Sequence, residues 1–483
     1  MNAKQWVIQS AACLWALGVA PAPAEEKQES FDRDPGWEGH QNRLGGTRTE
    51  EIRQDFGFSP DSHNAGGRPG EVGGLIQPAA EPAYYAKPFP AATLADGFEA
   101  SGTLLVEKGK GHFLLGFFNA GTINEWRTPN SLVLRIISRG EFFYAYVDFA
   151  TAKWRAGGVA FEGQAPPGGR ASEAEIPCGV PHAWSLCYDP RLSGALIGRI
   201  GHRTAICQVE PELRKDGATV NRFGILTVLK SRDDAGRFWL DDLTLLGKRE
   251  DFSRDPGWEG IGNRTTFRTA NIRPLFDFGF SATQHAGGRG QGELGGLVFR
   301  GDCRYPERLA AYGDRLEELS LAAPLRASGR VSLHRGVSDS TSLFGFYNSR
   351  SSLQVNPSQN SGIPMDFLGI AVEGPSRDGF FFYPLYRVHG EAQGHAGRQA
   401  NPPQILPDGK AHDWALEYDP AGAARRGRIT VKLDGQATRI DLGPGDQAVG
   451  ARFDRFGIVT TWIDGNAQRL YLDDLTYTVS QEK

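Results

Sequence analysis

Arg428-Ile-Thr-Val-Lys-Leu-Asp-Gly-Gln-Ala-Thr-Arg-Ile-Asp-Leu442 decides the fold class. Ile429, Val431 and Leu433 alternate with Arg428, Thr430 and Lys432. That period of two puts one face of a strand inward and the other in water. Asp434-Gly435 follows, a preferred pair for a tight type I′ turn. The alternation resumes over Thr438–Leu442, so the stretch reads as a β-hairpin. A weaker equivalent spans Ala195–Val209, with Gly201 at the turn.

Strand patterns extend outward from this hairpin. They include Leu132–Ile137, Phe142–Val147, Ala183–Tyr188, Gly224–Leu229 and Phe238–Leu245. Later come Phe367–Val372, Phe380–Tyr386, Trp414–Tyr418, Phe456–Thr461 and Leu470–Val479. Gly and Pro punctuate the intervals. The best helical pattern, Glu307–Leu319, predicts one or two turns in a connection. Many short strands with turn signals predict an all-β sandwich or barrel.

The chain repeats itself. Phe31-Asp-Arg-Asp-Pro-Gly-Trp-Glu-Gly39 returns as Phe252-Ser-Arg-Asp-Pro-Gly-Trp-Glu-Gly260. Asn42-Arg43 matches Asn263-Arg264, and Asp55-Phe-Gly-Phe58 matches Asp277-Phe-Gly-Phe280. Ala65-Gly-Gly-Arg68 matches Ala286-Gly-Gly-Arg289, and Gly116-Phe-Phe-Asn119 matches Gly345-Phe-Tyr-Asn348. Arg222-Phe-Gly-Ile225 matches Arg455-Phe-Gly-Ile458. A period of roughly 220 residues is domain-sized, so each copy is expected to carry its own core. Residues 1–24 read as a signal peptide, 25–247 as the first sandwich and 248–483 as the second.

The leader has Lys4, an apolar run from Trp6 to Ala20 and a small-residue Ala22-x-Ala24 cleavage site. The run falls short of a membrane span. A secreted or periplasmic protein is expected, with no membrane span. The net charge of −4 over 483 residues, without a basic run, removes the electrostatic reason to expect nucleic acid. Cys178, Cys187, Cys207 and Cys303 remain after cleavage. A disulfide could join Cys178 to Cys187 or Cys187 to Cys207.

His412-x-Trp414-x-Leu416-x-Tyr418-Asp-Pro, the Asp434-Gly435 hairpin, Phe456-Gly-Ile and Leu472-Asp-Asp-Leu-Thr together resemble the concanavalin A-like lectin/glucanase sandwiches. The resemblance covers the later half of each copy. It implies two tandem antiparallel jelly-roll domains whose concave sheet meets extracellular polysaccharide. It also implies a structural calcium that ties the last strand to the first. Asp34 or Glu38 would then join Asp241 or Asp242, and Asp255 or Glu259 would join Asp473 or Asp474. Alternatively, these carboxylates cap turns or pair with Arg33 and Arg254. No organic cofactor is expected.

Two constellations could meet a glycan. Trp37 and Trp258 are either core plugs or sugar-stacking platforms, with Glu38 and Glu259 beside them. His63, Arg68 and Glu71, and their twins His285, Arg289 and Glu293, lie among glycines that let a ligand approach. Arg can fork onto a carboxylate or a pair of hydroxyls, and His with Glu can exchange protons if they face each other. Otherwise the segment is a glycine-rich hairpin with a surface His and an Arg–Glu ion pair. The Glu-x-Asp-x-Glu and Arg-x-Glu-x-Arg signatures of glycan-cleaving jelly rolls are absent. Glu38 with Glu71, and Glu259 with Glu293, are the carboxylate pairs a hydrolase would need. A binding protein is the leading expectation, a hydrolase or lyase the first rival, and an adhesive surface protein the second.

Overall fold

In the computed structural model the alternating stretches form four antiparallel sheets. The structure describes residues 25–43, 48–123, 128–163, 172–358, 361–376, 379–396 and 402–481. The expected signal peptide, 1–24, lies outside them.

The diagnostic hairpin forms as read. Strands Arg428–Leu433 and Gln436–Asp441 pair in register, with Leu433 opposite Gln436. Asp434 and Gly435 both take positive φ, at 48° and 83°. Ala195–Ile200 and Arg203–Gln208 form its twin. The expected helix over Glu307–Leu319 is instead a short 3-10 turn at Pro306–Arg308, followed by a strand, Ala311–Ser320. Its apolar spacing has a different cause. The register shifts between Arg315 and Leu319, and this bulge brings Tyr312, Leu316 and Leu319 inward at intervals that imitate a helix.

A nine-stranded and an eight-stranded sheet enclose one core, and an eight-stranded and a seven-stranded sheet enclose the other. The all-β, two-sandwich architecture is therefore as expected. The chain, however, does not divide between the sandwiches at one point. The strand Glu25–Glu29 pairs with Ala467–Ser480, and Glu38–His40 pairs with Ala311–Ser320. Phe31 and Trp37 lie in the core of the second sandwich. Conversely, Lys248–Glu250 and Glu259–Ile261 add to the sheets of the first sandwich, and Phe252 and Trp258 enter its core. Each Asp-Pro-Gly-Trp arm thus closes the sandwich of the other copy.

The reason is local. Leu246 and Gly247, at φ 50° and 75°, make a two-residue turn after the strand Gly236–Leu245. Lys248 therefore folds straight back opposite Leu245. The first arm occupies the equivalent edge of the second sandwich, its strand Glu25–Glu29 paired with Ala467–Ser480. Trp154, matched to nothing in the second copy, reaches across to Phe380 with ring centroids 6.3 Å apart. Ser231 Oγ donates to Asn466 Oδ1 at 3.1 Å across the same junction.

Among the described residues Cys178, Cys187, Cys207 and Cys303 are all free thiols. Cys187 and Cys207 sit on strands separated by Ala195–Ile200. Two strand spacings come to roughly 10 Å, beyond the reach of a disulfide. Cys178 is next to Gly179, whose N–H donates to Val106 O at one end of the strand Phe98–Val106, whereas Cys187 faces Glu99 at the other end.

Candidate functional site

The two glutamates expected to do acid–base chemistry are fully buried. Glu71 Oε1 accepts from Asn64 N at 2.9 Å and Asn64 Nδ2 at 2.7 Å, and its Oε2 from Ala65 N at 2.8 Å. Glu293 accepts from Thr283 Oγ1, from His285 N at 2.9 Å and from Ala286 N at 2.7 Å. Each carboxylate is the anchor of its glycine-rich loop. His63 and Arg68 are exposed, and the His63 ring lies 3.3 Å from the Asp61 carbonyl oxygen. His285 packs on the rings of His334 and Tyr471, each 4.4 Å away. Arg289 approaches Asp474 at 3.7 Å, so the expected Arg–Glu pair is absent there. The structure does not assemble the His/Arg/Glu cluster as a proton-transfer site.

Glu38 pairs with Arg455, and Glu259 Oε2 with Arg222 Nε at 2.6 Å. Neither joins its expected partner, Glu71 or Glu293. Trp37 and Trp258 are core plugs, each 7% exposed. Trp37 meets Phe31 edge-on at 5.2 Å, and Trp258 stacks on Tyr85 at 5.6 Å.

The paired aspartates sit on bulges. Asp242 and Asp474 have φ of 49° and 47°, where the ladder register shifts. Asp241 and Asp473 turn inward, and each accepts the N–H of the next residue at 2.7 Å. Gly66 and Gly288 lie directly over them; a Cβ there would stand 1.6 Å and 1.9 Å from the carboxylate oxygens. Burial, with Asp242 and Glu71 nearby, pushes Asp241 up to about 6. Burial, with Asp474 and Glu293 nearby, pushes Asp473 up to about 7. Asp34 and Asp255 are elsewhere, capping their own turns through Gly36 N and Gly257 N at 2.9 Å. The donor set expected for calcium does not converge. Among the described residues no group of three His, Cys, Asp or Glu side chains fits a metal ion.

The open polar site lies at the loop rim of the second sandwich. A pocket of about 810 Å³ is lined by Asn348, Arg350, Asp366, His389, Val449 and Arg452, among others. Asp366, 3% exposed, takes φ 51° immediately before the strand Phe367–Ser376. Its Oδ2 accepts from Ser351 Oγ at 2.5 Å and lies 3.1 Å from His389 Nδ1. Its Oδ1 is buried without a hydrogen-bond partner among the described residues. A buried acceptor left open at a strained backbone position is costly, and such costs concentrate at functional sites. Ser351 and His389 both approach the same carboxylate oxygen. Ser351 Oγ is therefore spent on Asp366, which is the wrong arrangement for a nucleophile activated by His.

At the equivalent place in the first sandwich the matched side chains are hydrogen-bonded to their neighbours. Asn130, with φ 59°, precedes the strand Ser131–Gly140 as Asp366 precedes its own. Asn130 accepts from Thr219 N at 2.9 Å, and Asn119 donates to Thr219 O at 2.9 Å. Arg155 clamps Asp216 beside them. The reading of the sequence missed this pocket. Its signal is the asymmetry at matched positions, Asn130 against Asp366.

Neither family models nor curated proteins match the chain. Solved structures do, at low similarity. Domains LG4-5 of the mouse laminin alpha1 chain match at 11% identity over 85% of this chain and 94% of that one, with a TM-score of 0.24. The Emp47p carbohydrate recognition domain matches at 10% identity over 42% and 88%, with a TM-score of 0.26. A botulinum neurotoxin type C structure, whose title describes interaction with two ganglioside molecules, matches at 10% over 90% and 93%, with a TM-score of 0.25. These neighbours are sandwiches of the concanavalin A-like kind that the motifs resemble. Among the described residues no helix is long and apolar enough to cross a membrane.

Proposed function

We propose that the protein is an exported glycan-binding protein whose second sandwich holds sugar hydroxyls in the Asp366 pocket. The single observation that carries this reading is that the buried Asp366 Oδ1, at the wall of the pocket, has no hydrogen-bond partner among the described residues. A carboxylate oxygen that lacks a protein donor suits a hydroxyl group, and a charged acceptor makes the stronger hydrogen bond. Val449, 56% exposed at the rim, offers an aliphatic surface for the C–H face of a sugar ring. Binding is favoured over cleavage because Glu71 and Glu293, the carboxylates suggested by the sequence, are occupied by loop hydrogen bonds. Cleavage of the leader after Ala24 would make Glu25 the first residue, where the strand closing the second sandwich begins.

The test is retention on a panel of immobilised polysaccharides, with release of reducing ends followed in parallel. Asp366→Asn keeps a residue that tolerates positive φ but removes the charge. At least one polysaccharide should retain the wild type, and the variant should bind about tenfold or more weakly, the loss of one hydrogen bond to a charged group. Equal retention of both proteins, or release of sugar by the wild type, would overturn the reading.

A further inference from the structure

A second cavity, about 970 Å³, lies where the two sandwiches meet. Its walls carry four guanidinium groups, Arg43, Arg268, Arg335 and Arg469, against two carboxylates, Glu81 and Asp277. Both carboxylates are engaged. Glu81 accepts from Thr269 Oγ1 at 3.0 Å, and Asp277 faces Arg43 at 3.4 Å. Three of the arginines are held in place by backbone oxygens: Arg335 by Ala80 O at 2.6 Å, Arg268 by Thr49 O at 3.1 Å, and Arg43 by Phe280 O. A guanidinium has five N–H donors, so the anchoring of Arg43 and Arg268 leaves others for a ligand. Arg469 is exposed and makes no ion pair among the described residues.

The neutral polar groups are equally placed. Asn271 is 7% exposed, and Asn271 Oδ1 and His334 Nε2 are both buried without a hydrogen-bond partner among the described residues. Both line the cleft. The Tyr471 ring, 5.4 Å from that of His334 and 4.4 Å from that of His285, forms an aromatic wall at its side. We infer that this cleft is a second carbohydrate subsite, taking an acidic oligosaccharide whose carboxylate or sulfate groups are held by the arginines. Its hydroxyls would meet Asn271 and His334, and a ring face would pack on Tyr471. The inference rests on the glycan-binding reading above for the class of ligand, but uses none of the residues of the Asp366 pocket.

The experiment compares polygalacturonate, dextran sulfate and unsubstituted dextran as ligands for the full chain at low and high salt. At low salt at least one acidic polymer should bind, and binding should weaken as salt screens the charges. Arg469→Glu, at an exposed position, should lower that affinity tenfold or more, and Arg268→Glu should do the same. Asp366→Asn should leave it unchanged. Preference for polygalacturonate would identify the recognised group as a carboxylate, and preference for dextran sulfate as a sulfate. Acidic polymers bound equally by Arg469→Glu and the wild type would overturn the inference. So would loss of that binding in Asp366→Asn alone. Asp366-dependent binding of other glycans without binding of either acidic polymer would overturn the inference and leave the general reading standing. Absence of all glycan binding would overturn both.

Discussion

Glu71 and Glu293 are each drawn inward by three donors from their own loops. Hydrogen bonds to a charged group contribute about 1.5–3 kcal/mol each, and leaving the donors short costs a comparable amount. Glu71→Gln should therefore lower stability by about 2 kcal/mol, seen as a lower urea midpoint. Glycan retention by the folded variant should be unchanged; loss of retention with an unchanged midpoint would contradict the anchoring role. Asp473 titrates in the opposite sense to an ion-paired carboxylate. Its folded value is raised to about 7, so the native state holds a proton that the unfolded chain has released. The stability this proton contributes is complete below the unfolded value, about 4, and is lost as pH rises toward 7. Asp473→Asn should be close to neutral near pH 4 and gain on the order of 4 kcal/mol over the wild type by pH 8, because moving a carboxyl from about 4 to about 7 costs about 1.4 kcal/mol per pH unit. A difference that stays constant with pH, read from urea unfolding, would reject this account. The same residue scale shows what was legible: an inward and an outward Asp at each pair follows from strand alternation. The bulge and the covering Gly66 and Gly288 follow only from the packing of a loop over the sheet.

The arms belong to the scale of elements. Trp37 and Trp258 are chemically equivalent plugs in opposite sandwiches, and removing a buried aromatic costs about 3–5 kcal/mol. Trp37→Ala, though near the N-terminus, should increase hydrogen exchange in strands such as Leu325–Gly336 and Ala467–Ser480. Trp258→Ala should do so in Phe98–Val106 and Gly236–Leu245. The reverse pattern would contradict the exchange of arms. A signal for it was present in the chain. Leu246-Gly247 is a two-residue gap between Leu245 and Lys248, the length of a tight hairpin, so the second arm had to return along the strand before it. The repeat masked that signal, since a motif that opens one copy is naturally assigned to the copy that follows.

For the whole molecule, the exchange makes residues 25–43 and 277–480 one sandwich and joins the ends of the described chain, with Glu25 opposite Ser480. A fragment of residues 48–270 holds every strand and both aromatic plugs of the first sandwich, whereas 25–247 lacks Phe252 and Trp258. The first should unfold cooperatively in a thermal scan, and the second should not; two cooperative transitions of equal midpoint would place the boundary at 247 after all. Alternation of apolar residues, the Asp434-Gly435 turn and the internal repeat were enough to determine an antiparallel all-β protein in two sandwiches, because strand period and turn chemistry are local properties. Which arm closes which sandwich, the pocket around Asp366, and the arginines gathered at the junction were decided by tertiary structure. Identical arms fit either sandwich equally well by sequence, and residues such as Arg43, Ala80 and Arg469 become neighbours only when two folded bodies meet.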